Sequence, residues 1–120
     1  MKNIILSLLF IAILFSVNQF IFIPAHLLYE IVWLDIPLHI LGGILFASLY
    51  ISILKYYKKQ VKYINIIFFV MTIGVLWEIY EYYIHIFLGY DWNGILDTVK
   101  DLFDDFLGVS IAYLFNKKSF

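Results

Sequence analysis

Four stretches of apolar residues divide the chain, each close to the roughly 20 that cross a bilayer as a helix. They cover about residues 3–23, 36–53, 63–88 and 97–115. The first stops at Pro24, and Lys2 gives it a short basic start. A cleaved signal peptide would carry a shorter apolar run and a small-x-small site, and neither stands before Pro24, so this stretch is expected to remain as a helix. The third is long enough to tilt. The segment from Pro24 to Asp35 reads as a surface anchor or a short interfacial helix. The pattern predicts an all-α fold, a polytopic four-helix transmembrane bundle forming one domain over residues 1–120.

Composition supports the membrane reading. The chain is 64% hydrophobic and 21% aromatic, with mean hydropathy +0.94. A soluble domain is about 45–50% apolar, so there is too little polar surface here to coat a globule. There is no cysteine, which excludes disulfide and thiol chemistry. The lack of arginine, with heavy use of Lys, Ile, Phe and Tyr, suggests an AT-rich bacterial genome and hence the bacterial cytoplasmic membrane. The expected partner is the lipid bilayer, with no nucleic acid.

Charge adds orientation. Seven of the eight lysines are Lys2, Lys55, Lys58, Lys59, Lys62, Lys117 and Lys118. By the positive-inside rule the loop holding Lys55 to Lys62 is cytoplasmic, and so are both termini. All nine acidic residues fall in the other two connections or in the helix halves beside them. Those connections then face outward, with Tyr29, Trp33, Tyr90 and Trp92 placed as an interfacial aromatic belt, while Tyr56, Tyr57 and Tyr63 mark the inner interface.

Several acids lie within the apolar stretches, where charge is costly and points to function. Asp35 and His39 are four apart and share a helix face. Gly42 and Gly43 follow one turn deeper and would let another helix approach. Glu78, Glu81 and His85 share one face of the third stretch. Asp97, Asp101, Asp104 and Gly108 share one face of the fourth, with Asp105 beside it and Lys100 among them. Asn18 and Gln19 are expected to make interhelical contacts.

Up to seven carboxylates (Asp35, Glu78, Glu81, Asp97, Asp101, Asp104 and Asp105) would converge near Lys100, His39 and His85. Two like charges 4 Å apart repel by about 4 kcal/mol at an effective dielectric near 20. Such a cluster must hold protons or a cation. His39, Glu78, Glu81, Asp101 and Asp105 are the candidate metal ligands. Asp35, Asp97, Lys100, Asp104 and His85 are candidate lining residues, and Gly42, Gly43 and Gly108 are packing positions. Oxygen-rich ligation with imidazole suits several divalent ions and does not choose among them. Each residue also has an ordinary structural role: a helix–helix hydrogen bond for His39, a first-turn or capping acid for Asp97, a wet interfacial side chain for His85. Separate roles do not explain why the polar residues share one end and one face on three helices.

The order Asp35-x-x-x-His39-x-x-Gly42, then Trp77-Glu78-x-x-Glu81, then Asp97-x-x-x-Asp101 with Gly108, resembles the VanZ-like and YjdF-like small bacterial membrane proteins. The resemblance covers roughly residues 35–112. The chain lacks the Gln and Arg that usually follow the Glu in the VanZ form, so the YjdF-like pattern is the better match. The resemblance implies membrane location and an acidic site, and brings no settled reaction. Three functions compete. One is a metal-dependent site at the outer leaflet that binds or acts on a lipid or cell-envelope substrate, with Lys100 near an anionic head group. The others are a proton or cation pathway and a non-enzymatic subunit whose acids pair with a partner's basic helix. A small membrane diacylglycerol kinase is a poor match, for want of its Glu-x-x-Asn helix and because the acids lie away from cytoplasmic ATP. Whether the protein is an enzyme stays open at this point.

Overall fold

The computed structural model describes residues 1–119 with their side chains, except those of Leu28, Tyr29, Val32 and Ser119. Helix α1 (Lys2–Val17) runs on into a π-helical turn, Asn18–Phe22. The connection that follows holds a single turn, α2 (Leu27–Glu30), and a 3-10 turn, Val32–Leu34. Then come α3 (Asp35–Tyr56), α4 (Tyr63–Leu88) and α5 (Ile95–Asn116). No strand occurs among the described residues, and the fold is an all-α arrangement of four long helices.

Local chemistry sets the ends. Pro37 sits in the first turn of α3, where its missing N–H costs nothing. Gly89 ends α4 in the left-handed region (φ 75°), and its N–H bonds back to the carbonyls of Ile84 and His85. Only glycine takes that conformation freely, and it closes the helix. At its other end α3 extends through Lys55 to Tyr56, past the apolar run, because lysine is a good helix former and can reach water from the last turn.

Helix α1 with its π turn, α3 and α4 are each long and apolar enough to cross a membrane. Helix α5 has the same 22-residue length as α3, but its charges set it apart. Those charges point into the protein. Asp101, Asp104, Asp105 and Gly108 are buried, while Leu96, Val99, Phe103, Leu114 and Phe115 are exposed. One face therefore suits hydrocarbon and the opposite face is polar.

Helices α3, α4 and α5 form the packed unit, and α3 and α5 make its most extensive contact. At the lysine-bearing end, Ala47, Ile51, Ile66, Val70, Val109 and Ala112 form the apolar core. The Tyr63 hydroxyl lies 2.6 Å from Ser110 Oγ there. Helix α1 lies outside this unit, along α3, and Ser7 is the buried residue of its α-helical part. Trp33 is exposed and Trp92 packs edge-on to Tyr82, while Tyr29 lies outside the described side chains.

Candidate functional site

Gly43 and Gly108 set the geometry. A Cβ at Gly43 would lie 2.4 Å from the Asp105 carbonyl oxygen, and one at Gly108 would lie 2.3 Å from the Ile40 carbonyl oxygen. The backbones of α3 and α5 thus touch at this point, as small residues allow in membrane helices. One turn away, toward the end where α3 and α5 begin, the same faces carry His39, Asp101, Asp104 and Asp105. The close approach brings those side chains together in a buried space.

His39 is the hub. Its Nδ1 donates to Asp105 Oδ1 at 2.9 Å. Its Nε2 lies 3.3 Å from Asp101 Oδ2, 3.4 Å from Asp35 Oδ1 and 3.8 Å from Glu78 Oε1. A bare lone pair would repel three ionised carboxylates, so a proton or a cation lies between Nε2 and them. Asp35, His39, Glu78, Asp101, Asp104 and Asp105 are all buried.

Lys100 partly offsets the charge. Its ammonium donates to Asp101 Oδ1 (2.8 Å) and Asp104 Oδ2 (3.2 Å), and lies 3.6 Å from Asp35 and 3.8 Å from Asp97. Asp104 and Asp105 divide the work, one toward Lys100 and one toward His39. Even so, Glu78 Oε1, Asp101 Oδ2 and Asp105 Oδ2 are buried without a hydrogen-bond partner. An unsatisfied buried acceptor costs about 1–3 kcal/mol, more if charged. Two sets of side chains place their donor atoms within 4.8 Å of one another: Asp35, His39 and Asp101, and Glu78, Glu81 and Asp101. Asp101, fully buried, belongs to both.

Two cavities meet at this cluster. The larger, about 680 Å³, lies between α1, α3 and α4. Its walls are largely apolar, and Asp35, His39, Glu81 and Asp105 border it. The smaller, about 40 Å³, lies on the other side of Asp35 and Glu81, beneath His26, Asp91 and Asn93. The His26 ring and the Asp91 carboxylate, 2.5 Å apart, join α2's approach to the connection before α5.

Residues 1–118 match a family described as "Predicted membrane protein (DUF2238)". The chain belongs to that family. It is a membrane protein, in keeping with its three long apolar helices. No curated protein and no solved structure matches it. The DUF2238 match covers all five helices, so α1 is part of the shared unit although it stands outside the packed three.

In this DUF2238 chain the expected residues do not all gather. His39, Glu78, Asp101 and Asp105 form the centre, with Asp35 and Asp104 directly on them and Glu81 and Asp97 at the edge. Glu81 accepts a hydrogen bond from Trp77 Nε1 at 2.8 Å. Asp97 is in the first turn of α5, and the helix cap itself is Gly94. His85 is elsewhere: its Nδ1 donates to the Tyr90 carbonyl at 2.7 Å and its ring packs against Trp92, so it steadies the turn after α4. Gly42 is not a packing position, since a Cβ there would meet nothing within 4 Å; it borders the large cavity instead. Lys100 does not border that cavity, which removes it as a partner for an anionic head group there.

Two residues and one backbone feature were not anticipated. Gly74 makes room for Asp105, whose Oδ2 lies 2.5 Å from where its Cβ would be. Its position four before Glu78, on the same face, was the available signal. The Thr98 hydroxyl, three before Asp101, lies 3.2 Å from both Glu78 Oε2 and the Gly94 carbonyl, and its single proton can serve one at a time. The π turn places buried Asn18 on the cavity wall, and Gln19 Oε1 accepts from the Tyr80 hydroxyl at 2.7 Å. Gln19 thus makes the expected interhelical contact, but the π geometry had no mark in the spacing.

Proposed function

We propose that this protein binds a divalent cation at the His39 cluster and, beside it, a lipid or lipid-linked cell-envelope substrate in the large cavity. The observation that carries the first half is the set of orphaned buried oxygens on Glu78 and Asp101 around His39 Nε2. Ligands in a tetrahedral site with bonds of about 2.1 Å stand roughly 3.4 Å apart. The 3.3 and 3.4 Å separations around Nε2 are of that order. His39, Glu78, Glu81 and Asp101 are the ligand set, with Asp35 able to replace a member, while Asp105, a candidate ligand from the sequence, instead orients His39 through Nδ1. The cavity supports the second half: apolar pockets with a few convergent polar groups are the usual form of ligand sites. A proton or cation pathway is less favoured, since it would have to cross the apolar core of Ala47, Ile51, Ile66, Val70, Val109 and Ala112 toward the lysine end.

Purified protein is expected to retain a near-stoichiometric divalent ion by elemental analysis. Glu78→Gln, which keeps shape and removes charge, should weaken that binding at least about tenfold. An ion-free protein that takes up no Mg, Ca, Mn or Zn, together with an unaltered Glu78→Gln variant, would refute the metal reading.

The lysine pattern supports a reading with both termini cytoplasmic and the acidic end outside, in the bacterial cytoplasmic membrane. The cysteine-free chain makes this simple to check. An impermeant maleimide added to intact cells should label Asn93→Cys and leave Lys59→Cys untouched. The opposite pattern inverts the topology.

A further inference from the structure

The large cavity joins two environments. Leu8, Ile11, Leu14 and Phe15 from α1 face Leu38, Phe46 and Ile73 across it, a lining suited to a hydrocarbon chain. At about 680 Å³ it falls within the roughly 300–1,000 Å³ range of ligand pockets. Helix α1 packs along α3, while its links to α4 include the Phe15–Trp77 edge contact and the Gln19–Tyr80 hydrogen bond. The space between α1 and α4 is thus a slot beside an exposed, apolar helix.

The polar end of this slot has a definite sign. Asp35, Glu81 and Asp105 border it with His39. The His39 Nδ1 proton is already given to Asp105 Oδ1. Asp105 Oδ2 is buried, lacks a hydrogen-bond partner, and lies against Gly74 on the cavity wall. It calls for a donor. Lys100 is held by four carboxylates and does not border the cavity. One divalent ion and Lys100 leave four of the seven carboxylate charges unmatched, and a proton on His39 Nε2 in place of the ion leaves five. An anionic group entering here would add to that surplus, whereas an ammonium both offsets it and supplies up to three N–H donors.

We propose that the cavity binds an amphiphile with a hydrocarbon chain in the slot and an ammonium group at Asp35, Glu81 and Asp105. This rests on the lipid half of the function proposed above; it shares Asp35 and Glu81 with the metal half, so the test is made with metal removed.

The test compares three chains of equal length, brominated along the hydrocarbon: dodecylamine, dodecanol and dodecyl phosphate. Each is added with EDTA to the protein in lipid nanodiscs, in a Trp33→Phe, Trp92→Phe background that leaves Trp77 on the cavity wall as the reporter. The amine should quench Trp77 saturably at a concentration at least about tenfold below the alcohol, as one or more charge-assisted hydrogen bonds would give. Glu81→Gln and Asp105→Asn should each narrow that gap while leaving quenching by the alcohol in place. Equal quenching by amine and alcohol, or tighter binding of the phosphate with or without added Mg, overturns the head-group assignment but keeps the cavity as a lipid site. Failure of all three chains to quench saturably, in protein that keeps its helical circular dichroism, overturns the lipid reading itself.

Discussion

Gly108→Ala will unfold this protein more readily than any other single-methyl addition at its glycines. The new Cβ would fall 2.3 Å from the Ile40 carbonyl oxygen and 2.8 Å from Gly43 Cα and Ile44 N. All three are backbone atoms of α3, so no side chain can swing aside and the helices must separate. Overpacking costs about 1–3 kcal/mol where side chains adjust, and a backbone collision belongs at the top of that range or above it. Separation also spreads His39 from Asp101 and Asp105, so the loss includes the cluster. Unfolding followed by circular dichroism in mild detergent should show a loss of about 3 kcal/mol or more. Gly42→Ala, one position from the contact on α3 and open for 4 Å around, is the control and should be nearly neutral. Equal behaviour of the two variants would mean that α3 and α5 do not meet as described.

His39→Ala is the second large effect. The imidazole stands within 4 Å of Asp35, Glu78, Asp101 and Asp105. Removing one partner from a buried ionic cluster costs about 3–5 kcal/mol, because the remaining charges lose their compensation. The penalty belongs to ionised carboxylates, so it should be largest near neutral pH and shrink as acid protonates them. Unfolding free energies of wild type and variant should converge as the pH is lowered. A difference below about 1 kcal/mol, or one that does not change with pH, would show that His39 is not the electrostatic centre.

The three helical stripes were legible because carboxylates are rare in apolar stretches and their spacing repeats with the helix. That period put Asp35 with His39, Glu78 with Glu81, and Asp101 with Asp105 on common faces. Gly43 and Gly108 were legible for the same reason. Their near neighbour Gly42 shows the limit, since adjacent residues point about 100° apart and spacing alone does not say which faces the partner. His85 continued the Glu78–Glu81 face in sequence, but it lies in the last turn, beside the loop that turns at Gly89, where the Tyr90 carbonyl claims it. The cavity was not legible at all. It arises because α1 stands apart from α4, and such a void depends on the placement of three helices together.

The two-faced character of α5 has a consequence for how the protein is made. An Asp at the centre of a membrane helix costs about 2.5–3.5 kcal/mol during insertion. Helix α5 has Asp101, Asp104 and Asp105 on the face that ends up buried. It also leaves the ribosome after α3 and α4, which present His39, Gly43 and Gly74. The earlier helices thus offer a prepared polar surface on which the buried face of α5 can dock.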